Sequence, residues 1–143
     1  ARLNAQAGVA IVSSIIGWVP FGASHGIGHV LGGTADVPHG ITSCIMLPYI
    51  LQYNSGDPEL QPYLRQVVEA FGGAPSDDSA AFACHTLVCD LGLPRTLAEV
   101  GVKPEMHHDI ARFAIRDAWT KTNPRPVTLE ALMKILATAQ CGV

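Results

Sequence analysis

The chain has 143 residues, enough for one domain with its own core. Nine Lys and Arg against twelve Asp and Glu leave a formal net charge of -3, and only 15% of residues are charged against 48% hydrophobic. That balance excludes an electrostatic footprint for nucleic acid and predicts that part of the surface lies against something else.

The first residue is Ala1, so a fragment or a processed product is expected. Between Arg2 and Asp36 there is no Asp, Glu, Lys or Arg. A membrane span is excluded by length. The apolar part from Gly8 to Phe21 is interrupted by Ser13, Ser14 and Gly17 and closed by Pro20, short of the roughly 20 apolar residues a spanning helix needs. Buried core helices are expected there instead. No basic segment precedes a cleavage site, so nothing argues for secretion, and a cytoplasmic location is expected.

In chain order, Arg2 to Ile16 has helical apolar spacing and stops at Gly17. A short helix over Ala23 to Leu31 is predicted to end at Gly32-Gly33 as its C-cap. After Pro38-His39-Gly40, an apolar stretch from Ile41 to Tyr53 runs through Pro48, where a kink is expected. Asp57-Pro58-Glu59 marks a helix start leading into Leu60 to Phe71, which Gly72-Gly73 and Pro75 break. Ser76-Asp77-Asp78 is predicted to start the next helix, which runs to about Asp90. Thr96 to Glu99 fits a capping box, and Pro104 to Trp119 reads as one helix with Met106, Ile110, Phe113 and Ala114 inside. Thr128 caps a last helix reaching about Ala139. No run alternates at period two over more than a few residues, so the prediction is an all-α bundle of about seven helices in one domain over 1–143.

The four cysteines form no C-x-x-C pair, and reduced, mostly buried thiols are expected. The histidines are more informative. His25 and His29 are spaced i, i+4, which puts both imidazoles on one helix face, and His39 follows fourteen residues after His25 at the start of the next helix. Neutral imidazoles at this spacing can converge on zinc or ferrous iron, or can be hydrogen-bonded core histidines. Peptidase chemistry is disfavoured because Gly26 stands where an H-E-x-x-H site needs its glutamate. The glycines around Gly26 and Gly28 also miss the offsets of a dinucleotide fingerprint, and no strand precedes them.

The run from His25 through Gly33, then Val37-Pro-His39-Gly40 and Met46 to Asn54, resembles the signature of the iron-containing (group III) alcohol dehydrogenases. Asp90 to Pro94, Leu97 to Gly101 and Thr122-Asn-Pro-Arg-Pro126 are similar to the C-terminal half of that family. Thr42-Ser43-Cys44 and Trp119 look more like its maleylacetate-reductase-like branch.

The resemblance implies the helical C-terminal domain of a dehydroquinate-synthase-like fold. It implies His25 and His39 as metal ligands, His29 as the histidine that helps relay the alcohol proton, and Trp119 as a substrate-pocket residue, which also reads as a core aromatic. His85, His107 and His108 match nothing and are read as surface or capping residues. The cofactors implied are Fe2+ or Zn2+, with a metal-free branch left open, and NAD or NADP held mainly by an N-terminal nucleotide-binding domain absent from this chain. Residues that bind the nicotinamide here stay unassigned. The partners implied are that domain, a small alcohol or carbonyl and further copies of the chain, with no nucleic acid and no membrane. On its own the chain is expected to be inactive and to expose an apolar surface around Phe21, Ile27 and the helix after His39. The rival reading is a non-enzymatic helical metal-binding or assembly module.

Overall fold

Helix α2 (Ala23–Ala35) is the element around which the others gather, with α3 (His39–Asn54), α6 (His107–Ala114) and α7 (Ala118–Lys121) packed on its sides. The computed structural model describes residues 1–73 and 79–142. The remaining helices are α1 (Arg2–Ser13), α4 (Gln61–Ala70), α5 (Ala80–Asp90) and α8 (Leu129–Cys141), with single 3-10 turns at Pro58–Leu60, Ala98–Val100 and Pro104–Met106. No strand occurs among the described residues, so the expected all-α class is found, with eight helices where about seven are predicted. No helix among the described residues is long and apolar enough to cross a membrane.

The core is built from Ile27 and Leu31 of α2, Ile45 and Met46 of α3, Ile110 of α6, Leu132 and Leu136 of α8, and Leu97 from the connecting segment. Helix α5 packs on the other side of α3, and α4 packs on α5. Several starts are set by the predicted residues. Asp57 accepts from the Glu59 backbone N–H at 3.0 Å, and Thr128 accepts from that of Ala131 at 3.1 Å. Each such cap stabilises its helix by about 1 kcal/mol. The predicted start at Ser76-Asp77-Asp78 lies outside the described residues, and the described helix opens on Ser79, which accepts from Phe82 N–H.

A side chain from far along the chain caps α2. Asn123 is buried, its Oδ1 accepts from Ala23 N–H at 3.1 Å, and its Nδ2 donates to Asn54 Oδ1 at 2.8 Å and to the Arg125 carbonyl. Arg125 in turn donates to the Tyr53 carbonyl and lies over the Tyr53 ring. The Asn-Pro-Arg-Pro segment therefore ties the start of α2 to the end of α3, fixing the two helices that carry the histidines.

The structure corrects several expectations. Helix α2 does not stop at Gly32-Gly33 but continues to Ala35, ending on Asp36 in the left-handed region at φ 54. Two helical glycines cost only about 1 kcal/mol each, which packing on three sides outweighs. The Pro104 to Trp119 segment is not one helix, because Asp117 adopts an extended backbone and caps α7. Phe113 is exposed although Met106, Ile110 and Ala114 face inward as predicted. The Thr96 hydroxyl accepts from Glu99 N–H, but the Glu99 carboxylate accepts from Arg95 N–H, so the capping box is only half formed. His107 is buried and hydrogen-bonded to Gln140 at 2.8 Å, not a surface residue. Of the four free thiols only Cys84 is buried.

The largest correction concerns residues 1–20. All are exposed, with Leu3 at 76% and Trp18 at 87%, because no described element packs over α1. Ile27, expected on an exposed patch, is fully buried under α3 and its neighbours. The longest run of exposed apolar residues lies on α1 and the Ile15 to Val19 segment that follows, and on the helix after His39 Leu47 is exposed as well.

Candidate metal centre

His25 and His29 sit one turn apart on α2, and His39 is the first residue of α3, directly after the N-cap Pro38. Two glycines of the His-Gly-Ile-Gly-His run make their convergence possible. A Cβ at Gly28 would fall 2.6 Å from Thr42 Oγ1, so only glycine lets the first turns of α3 lie this close to α2. A Cβ at Gly26 would fall 2.9 Å from the Thr120 backbone N and 3.0 Å from Asp117 Oδ1, so the same argument brings α7 against the opposite edge. Thr42 is buried and donates to the His39 carbonyl at 2.7 Å, fixing the turn that presents His39.

The three rings form a tight group. The ring centroids are 4.5 Å apart for His25 and His29, 4.7 Å for His25 and His39 and 5.6 Å for His29 and His39. Each offers a nitrogen within 4.8 Å of the others. Two imidazoles sharing a tetrahedral ion at about 2.0 to 2.1 Å need nitrogens about 3.4 Å apart. His29 and His39 are exposed and His25 is half-buried. The donor set is all imidazole, which suits Fe2+ and Zn2+ alike and leaves open positions for further ligands.

Around this group stand two aromatics and one acid. Phe21 stacks on His25 at 4.3 Å and meets Trp119 edge-on at 5.1 Å, so Trp119 lies 6.1 Å from the His25 ring without belonging to the imidazole group. Asp117 Oδ2 is 3.0 Å from His29 Nδ1, while its Oδ1 accepts from Trp119 N–H at 2.8 Å. Sequence reasoning places Phe21 only on an apolar surface, without a contact to His25, and does not single out Asp117. Asp117 could have been noticed as a helix-cap residue two positions before Trp119, but not as a partner of His29.

The electrostatics favour neutral imidazole at His25. Desolvation lowers its pKa from the ordinary 6.5, the neighbouring His29 and His39 lower it further, and Asp117 opposes them. At Asp117 the largest influence, desolvation, acts to raise the pKa. The hydrogen bond from His29 and the backbone N–H groups of α7 outweigh it together, so the carboxyl stays below its ordinary range.

A family model described as the C-terminal part of the Fe-containing alcohol dehydrogenase family matches residues 1–140. Maleylacetate reductase 1 of Cupriavidus pinatubonensis is 33% identical over 142 residues, which are 99% of this chain and 38% of that protein. Alcohol dehydrogenase 4 of Saccharomyces cerevisiae is 32% identical over 134 residues, covering 93% of this chain and 34% of its own. A crystal structure of 1,3-propanediol oxidoreductase superposes with a TM-score of 0.76 at 28% identity, over 82% of this chain and 32% of that one. Relatives of both branches are thus matched at similar identity, and the chain spans about a third of the length of the curated relatives it matches.

Proposed function

The chain belongs to the Fe-containing alcohol dehydrogenase family, as its C-terminal domain, and on that premise we propose that it supplies part of the metal site and one wall of the cleft for NAD(P)-linked interconversion of an alcohol and a carbonyl. The single observation that carries this reading is the convergence of His25, His29 and His39 within 4.8 Å from two helices.

We assign His25 and His39 as ligands of Fe2+ or Zn2+. When bound, such a cation supplies Lewis-acid polarisation of the substrate oxygen and the nicotinamide supplies the hydride donor or acceptor. His29 handles the alcohol proton. Its Nδ1 is engaged by Asp117 at 3.0 Å, which leaves Nε2 as the atom that accepts or returns a proton. Asp117 acts through His29, holding one ring orientation and favouring the tautomer with hydrogen on Nδ1. Trp119 and Phe21 form an apolar wall beside His25, and we assign Trp119 to the substrate side of the cleft.

The domain division is part of the same proposal. Residues 1–143 are one helical domain, and the nucleotide-binding domain with the remaining metal ligands lies outside them. The exposed apolar face of α1 is the surface it would cover. A homo-oligomeric, cytoplasmic enzyme acting on a small alcohol or carbonyl completes the reading. The test is NAD(P)-dependent alcohol oxidation by a protein carrying this domain with its nucleotide-binding part. Activity lost on chelation, restored by Fe2+ or Zn2+ and abolished by His25→Ala supports the proposal. Turnover indifferent to chelation and to that substitution contradicts it.

A further inference from the structure

Away from the imidazole group, the end of α5 brings a thiol, an imidazole and a guanidinium together. Cys89 and His85 are spaced i, i+4 on α5, and the half-buried Cys89 Sγ lies 3.6 Å from His85 Nδ1. The turn through Gly92 and Pro94 then folds Arg95 back, so that its Nη1 points at the same sulfur from 3.9 Å. Cys89, Arg95 and Glu99 line an open cleft of about 510 Å³ with Gly92, Leu93 and Pro94, so small molecules reach the sulfur.

The charges facing this sulfur act in both directions. Against a thiolate stand the carbonyl end of α5, equivalent to about half an elementary charge, and the neighbouring Asp90. Glu99 faces Arg95 rather than the sulfur, pairing with Nη2 at 3.9 Å and accepting from its backbone N–H at 2.9 Å. In favour stand the Arg95 guanidinium and the His85 ring nitrogen, both in contact with the sulfur. The other cysteines lack this arrangement, since Cys84 is buried and no hydrogen-bond partner of Cys44 or Cys141 occurs among the described residues.

We propose that Cys89 is a thiol-disulfide exchange site that accepts one half of a small, carboxylate-bearing disulfide. The Cys89 thiolate attacks one sulfur of the incoming disulfide, and the new S–S bond forms as the old one breaks. The electron pair leaves on the departing sulfur, which takes a proton from the His85 imidazolium or from water. Cys89 is oxidised to the mixed disulfide and the departing half is reduced to a thiol, so the exchange needs no further oxidant. Arg95, half exposed at the rim of the cleft, meets the carboxylate.

The test uses the 143-residue chain with two probes, dithiobis(nitrobenzoate), which carries carboxylates, and dithiodipyridine, which does not. The modified cysteines are mapped by mass spectrometry. The expected result is that Cys89 reacts first. His85→Gln should slow it by about threefold toward both probes, since the ring nitrogen in contact with the sulfur, which can take the thiol proton, is then lost. Arg95→Gln should slow the carboxylated probe more than the uncharged one. Both substitutions are outside the buried core, and circular dichroism checks that the fold is kept. The exposed Cys141 reacting as fast as Cys89, or unchanged rates in both variants, overturns the proposal. Equal slowing of both probes by Arg95→Gln overturns the assignment of the carboxylate to Arg95.

Discussion

His29 Nδ1 and Asp117 Oδ2 lie 3.0 Å apart although 88 residues separate them in sequence. The pair joins the middle of α2 to the N-cap of α7, and the carboxylate is held in turn by Trp119 N–H. Asp117→Asn keeps the shape and removes the charge. In the full-length enzyme it should lower turnover by about ten- to a hundredfold, the usual effect of removing the group that orients a functional histidine. Metal content should stay unchanged. Turnover equal to wild type would show that the pair only braces the helices.

Gly26 and Gly33 lie on the same helix and should respond oppositely to alanine. At Gly26 a Cβ would press on the Thr120 backbone N and Asp117 Oδ1, so Gly26→Ala should destabilise the chain by about 1 to 3 kcal/mol. At Gly33 a Cβ meets nothing within 4 Å, so Gly33→Ala should gain up to about 1 kcal/mol of helix propensity. Urea unfolding of the two variants checks this. Equal effects of the same sign would contradict the close approach of α7 to α2.

Much of this arrangement was legible in the sequence, and the misses share a cause. Asp57, Ser79 and Thr128 cap helices through contacts two or three residues away, which local sequence shows, although Ser76-Asp77-Asp78 offers an equally good start for α5 and draws the prediction away from Ser79. The i, i+4 spacing of His25 and His29 and the turn before His39 likewise put all three on helices that can meet. Asp117 and Asn123 act over 88 and 100 residues, and no local pattern marks such a partner. The Gly32-Gly33 stop failed because tertiary packing overrides a small local cost. The uncharged run after Arg2 was read as buried because apolar sequence signals a need for cover without saying which surface provides it.

The pH response of the metal-free chain follows from His25. Desolvation, then His29 and His39, depress its folded pKa below the ordinary 6.5, so the unfolded chain takes up this proton at higher pH than the folded one. The corresponding stability is present above pH 6.5 and is lost as pH falls through the depressed folded value. His25→Gln should therefore show a shallower loss of stability on acidification below pH 6.5, read from urea midpoints. Parallel curves for the two proteins would remove His25 as the source.

The exposed apolar residues of α1 should make the isolated chain self-associate. Sedimentation velocity should show species larger than 15.1 kDa, and Ile11→Glu with Trp18→Glu should shift them toward the monomer. A wild-type chain that sediments as a monomer at high concentration would contradict this.

Whether His25 and His39 hold the metal while His29 serves the proton is decided by calorimetric titration of Zn2+ into the 143-residue chain and its three alanine variants. His25→Ala and His39→Ala should each weaken binding by more than about tenfold, whereas His29→Ala should bind within about threefold of wild type. Equal losses in all three variants would make His29 a ligand and contradict the assignment.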